Sequence, residues 1–128
     1  MSKSTPDGLL DQQALDNIRA LQRPGSRVFE KVVGIYLKDC PAAIAELESA
    51  LHAGDATRIA QLAHRLKSGS ANLGATALAE YLRELEAIGR AGSCEGAAEL
   101  ISLVKDEYGR VEAALRQELQ IAHAHQSE

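Results

Sequence analysis

The chain has 128 residues, one ordinary domain by length, enough to bury roughly two-thirds of its unfolded surface but too short for two catalytic lobes. Hydrophobic residues at 45% and charged residues at 25% describe a soluble globular chain, and aromatics at only 3% (Phe29, Tyr36, Tyr81, Tyr108) imply an aliphatic core and argue against base-stacking platforms. Eighteen acidic against 14 basic residues give a net charge of -4, which repels polyphosphate and anionic lipid, so nucleic acid and membranes are excluded as expected partners.

Apolar residues recur at spacings of three and four and never alternate, which predicts an all-α chain. A flexible N-terminus over 1–10 precedes a short helix capped by Asp11, stapled by Leu10 and Leu15 and stopping near Gln22, before Pro24-Gly25. Ser26 is the expected cap of a long second helix. Its stripe of Phe29, Val33, Tyr36, Cys40, Ile44, Leu47 and Leu51 runs across Pro41, predicting one kinked helix that ends at Gly54. Asp55 caps a third helix with Ile59, Leu62, Leu66, Gly69 and Leu73 on its buried face, closing at Gly74. The fourth begins at Thr76, buries Leu78, Tyr81, Leu82, Leu85 and Ile88, and ends in a turn from Gly89 to Ser93. The last starts near Ser93 or Cys94 and faces Leu100, Val104, Tyr108, Val111, Leu115 and Leu119 inward, with 120–128 expected to fray. Long helices joined by such short connections must lie antiparallel. The expected fold is therefore an up-down-up-down four-helix bundle over 11–119 with a short extra N-terminal helix.

Cys40 and Cys94 match neither a disulfide framework nor a CxxC pair and fit reduced thiols in a cytosol. The stretch from Met1 to Gly8 lacks an apolar export core, and no run of eighteen apolar residues occurs, so a cytoplasmic location is expected. Met1 fits a free-standing protein, while a piece cut from a larger sensor would look similar.

Four histidines are the first candidates for chemistry. His123 and His125 are two apart near the end of the last helix and diverge; His52 at a helix end suits the C-terminal dipole. His64 projects sideways from the middle of the third helix. Around it stand Ala60, Gln61, Ser68 and Ala71, small or polar residues that would let a partner protein approach the ring. Lys67, one turn on, can reach a group attached to the imidazole; its ordinary alternative is a solvated lysine. Counting outward from a turn centred on Ala75 places Glu86 level with His64. There its carboxylate could accept from Nδ1–H and leave Nε2 as the nucleophile, unless it is an ordinary surface glutamate. Gly69, on the buried stripe, is expected to permit close helix packing at a helix-propensity cost of about 1 kcal/mol.

The run Ala63-His64-Arg65-Leu66-Lys67-Ser68-Gly69-Ser70-Ala71-Asn72-Leu73-Gly74-Ala75 resembles the signature of the histidine-containing phosphotransfer (HPt) domain, with Ser68 where the family has its first glycine. Leu82 to Gly92 is similar to the family's Leu-Glu-x-x-Gly-Arg stretch, and the likeness extends over about residues 11 to 118. The resemblance implies a phosphorelay intermediate in two-component signalling. His64 would exchange a phosphoryl group with an aspartate of response-regulator receiver domains, assisted by Lys67 and Glu86 and fed by a hybrid sensor histidine kinase. It further implies a phosphocarrier without an ATP site, metal or cofactor of its own, working as a monomer, with Mg²⁺ held by the receiver. The alternatives are a helical adaptor without phosphotransfer and a metal-dependent bundle enzyme, for which the repeated Glu-x-x-His pairs are missing.

Overall fold

Side-chain capping decides where two of the helices begin. The computed structural model describes residues 9–21 and 27–127, the last six of these by their backbone alone, and contains α1 (Gln12–Arg19), α2 (Val28–Ala53), α3 (Ala56–Asn72), α4 (Thr76–Arg90) and α5 (Ala97–Ser127). Asp11 and Asp55 cap α1 and α3 as expected, their carboxylates accepting from the backbone N–H of Gln13 and Arg58. Gly54 ends α2 and Gly74 follows α3, both at positive φ. α1, expected to run to about Gln22, ends at Arg19, with Ala20 and Leu21 in a turn. The expectations for Met1 to Gly8, the Pro24-Gly25 break, the Ser26 cap and the side chains of His123 and His125 lie outside the described residues.

Three further boundaries differ from expectation. Gly89 lies inside α4, which continues to Arg90, and α5 begins at Ala97 because Gly92 and Gly96, both at positive φ, hold the Ser93–Glu95 turn between them. The backbone of α5 is helical to Ser127, past the point where a frayed tail was expected.

α2 is a single helix through Pro41. Proline has no N–H for the carbonyl of Leu37 four residues earlier. The buried Tyr108 hydroxyl donates to that oxygen from α5 at 3.4 Å. Tyr36, 6.0 Å from Tyr108 between ring centres, shares a 2.7 Å hydroxyl bond with the fully buried Ser70 of α3. The polar groups at the centre of an aliphatic core are thereby satisfied in pairs.

Each long helix packs on two neighbours, α2 on α3, α3 on α4, α4 on α5 and α5 on α2, which closes the four-helix bundle around Val33, Leu47, Ile59, Leu62, Leu82, Val104 and Leu115. α3 and α4 share the most extensive contact. α1 packs on α2 and is tied down by Asp11 N–H, which donates to the Gly74 carbonyl at 2.8 Å, and by Arg19, which pairs with Glu118 of α5 at 2.7 Å beneath a cation–π contact to Phe29. No helix among the described residues is long and apolar enough to cross a membrane.

Candidate functional site

The seam between α3 and α4 sets the site. A Cβ on Gly89 would lie 2.7 Å from the Ala56 carbonyl oxygen and 2.8 Å from Ala60 N, so only glycine lets the two backbones approach this closely. Gly69 was expected to play that part, yet a Cβ there would meet only the Tyr36 ring at 3.4 Å, an ordinary contact. The reason is rotational: Gly69 faces a side chain of α2, whereas Gly89 faces the main chain of α3.

Ala60 is corrected for the same reason. It is only 8% exposed because it receives Gly89, and it forms the floor beside His64 instead of an open docking face. Gln61, Ser68 and Ala71 are exposed as expected, with the Ser68 hydroxyl donating to the His64 carbonyl at 3.3 Å.

With α3 and α4 drawn together, His64 and Glu86 meet at the same level of the bundle. The His64 ring, 57% exposed, lies with Nδ1 3.0 Å from Glu86 Oε2. Lys67 Nζ sits 2.8 Å from the other carboxylate oxygen, Oε1, and Arg90 Nη2 lies 2.5 Å from Oε2. Glu86 is only 5% exposed overall. The hydrogen bond from Lys67 holds its carboxyl below the usual range; the charges of Arg90 and Lys67 and the bond to His64 add to this, outweighing the burial that opposes ionisation. An ionised carboxylate only accepts, so neutral His64 must donate from Nδ1–H, and the lone pair of Nε2 is left for chemistry.

His64, Lys67 and Glu86 are thus brought together as expected. Arg90 was not singled out, although the Glu86–Arg90 spacing of four residues was the available signal. A groove of about 540 Å³ beside the ring is lined by Thr57, Ala60, Gln61, Arg65, Gly89 and Arg90. The remaining candidates stay apart from it: His52 is exposed in the last turn of α2, and burial pushes the Cys40 thiol up to about 12, which leaves it protonated and unreactive. Among the described residues no group of three or more His, Cys, Asp or Glu side chains is placed to hold a metal ion.

Comparison with known proteins bears on the domain as a whole. Residues 31–120 match the sequence model of the Hpt domain. The chain is 30% identical over 95 residues to multistep phosphorelay regulator 1 of Schizosaccharomyces pombe, an alignment covering 73% of this chain and 32% of that protein, so the chain spans about a third of that relative's length. It superposes on the crystal structure of histidine-containing phosphotransfer protein B from Pseudomonas aeruginosa PAO1 with a TM-score of 0.81 at 31% identity, covering 88% of this chain and 95% of the other. The histidine-containing phosphotransfer protein ZmHP2 from maize shares the fold, with a TM-score of 0.80 at 21% identity over 91% of this chain and 87% of its own.

Proposed function

The chain belongs to the Hpt, or histidine-containing phosphotransfer, domain family, and from that premise we propose that His64 carries a phosphoryl group between aspartates of response-regulator receiver domains in a phosphorelay. The observation that carries the reading is the exposed ring whose Nδ1–H is held by the buried Glu86 carboxylate. Nε2 attacks the phosphorus of an aspartyl phosphate in line, the P–O bond breaks, and the aspartate departs as a carboxylate. No proton has to leave. Nδ1 keeps its hydrogen, the ring becomes a phosphorylated imidazolium, and its positive charge rests against Glu86.

Lys67 is half-buried and Arg90 exposed, and their bonds to Glu86 can be exchanged for bonds to the phosphoryl oxygens. In the reverse transfer the partner's carboxylate attacks phosphorus and neutral imidazole leaves. Divalent metal on the receiver would neutralise charge on the acceptor side, so this chain acts as a carrier, monomeric and cytoplasmic, with a hybrid sensor histidine kinase upstream. The test is to incubate the chain with receiver domains loaded by acetyl phosphate and follow the label. Acid-labile, alkali-stable phosphate should appear on the wild type and be absent from His64→Gln. Label retained by that variant would refute the assignment.

A further inference from the structure

Two grooves flank the third helix, and one side chain borders both. The first is the groove beside His64. The second, about 240 Å³, runs between α2 and α3 and is mostly apolar, with Val32 and Ile35 exposed on one wall, Leu66 and Leu73 on the other, and Asp39 on the α2 side. Arg65 lines the two together. Among the described residues it makes no ion pair or hydrogen bond, whereas Lys67 and Arg90 are both occupied by Glu86.

We propose that Arg65 is a docking and specificity residue, reading an acidic group on a partner whose apolar surface covers the Val32–Ile35 groove, and that it takes no part in the chemistry at His64. This deepens the phosphocarrier reading and rests on it. Three observations favour the assignment. Neighbouring residues on a helix point about 100° apart, so Arg65 is directed away from the ring beside it and toward the α2 side. Its cation is uncommitted in a chain of net charge -4, which makes it a local attractive spot in an otherwise repelling field for an acidic partner. The apolar groove also carries both the Arg65 cation and the Asp39 carboxylate on its lining, so a partner that sets an acid against Arg65 and keeps acids from Asp39 is favoured over one placed the other way.

The experiment measures phosphotransfer from receiver domains of the source organism, loaded with acetyl phosphate, to the wild type, Arg65→Gln, Arg65→Glu and, as a distant control on α5, Arg116→Gln. Arg65→Gln should raise KM several-fold and Arg65→Glu about tenfold at low salt, with the differences shrinking as salt screens them. Both should leave kcat and the lifetime of phosphorylated His64 unchanged. Equal KM values in all four proteins would overturn the proposal, as would a fall in kcat at constant KM, which would move Arg65 into the chemistry. A wild type that neither binds the receivers nor accepts label would instead bring down the phosphocarrier reading, and this inference with it.

Discussion

Replacing Glu86 by alanine removes the acceptor at Nδ1 and asks how much of the His64 tautomer the carboxylate controls. A hydrogen bond to a charged acceptor contributes about 1.5–3 kcal/mol when shielded, and with the His64 ring 57% exposed about 1 kcal/mol is a better figure. That corresponds to roughly a fivefold change in the ratio of the Nδ1–H to the Nε2–H tautomer. Long-range proton–nitrogen correlation spectra at alkaline pH, where the ring is neutral, read this ratio directly. Glu86→Gln separates geometry from charge, because its amide oxygen still accepts from Nδ1–H while the negative charge that steadies the phosphorylated imidazolium is gone. The glutamine variant should therefore keep the wild-type tautomer but hold less phosphate at equilibrium, and the alanine variant should lose both. The same tautomer ratio in Glu86→Ala and the wild type would refute the reasoning outright.

Gly89→Ala should destabilise the bundle by about 1–3 kcal/mol in urea unfolding, because its methyl group meets main-chain atoms of Ala56 and Ala60 that cannot step aside. Gly69→Ala should instead be neutral or more stable by up to about 1 kcal/mol, as its methyl group meets the Tyr36 ring at ordinary distance and the helix gains propensity. Lys67→Ala should fold normally and transfer phosphate about tenfold more slowly in rapid-quench assays, the loss of one charge-assisted contact; an unchanged rate would make it a solvated lysine. Acid should weaken the wild type through Glu86, whose folded carboxyl ionises at lower pH than its ordinary 4.5. Its stabilisation is complete above that value and is lost as pH falls through the folded pKa, so urea midpoints of the wild type and Glu86→Gln should converge on acidification. Midpoints that stay equally separated would show that the carboxylate contributes nothing through its charge.

Much of the molecule was legible along the chain because the deciding interactions are local. Asp11 and Asp55 cap helices with bonds to residues two and three ahead, and Gly54 and Gly74 terminate them through backbone conformations that other residues resist. The His64–Glu86 pair was legible too, since a short turn fixes the antiparallel register and counting outward from Ala75 reaches both. Arg90 completed the site unannounced, although its spacing from Glu86 was visible.

What the linear order could not supply is the rotation of each helix about its own axis. That phase is decided by which side chains interlock across all four helices at once. It turned Ala60 inward beneath Gly89, set Gly69 against a ring instead of a backbone, and brought the Tyr108 hydroxyl from α5 to the carbonyl that Pro41 left without a donor. The helical class, the Asp11 and Asp55 caps and the pairing of His64 with Glu86 were thus legible in the sequence. The close α3–α4 seam that presses a buried carboxylate against that histidine was decided only by tertiary packing, because it depends on atoms from different helices meeting at van der Waals range.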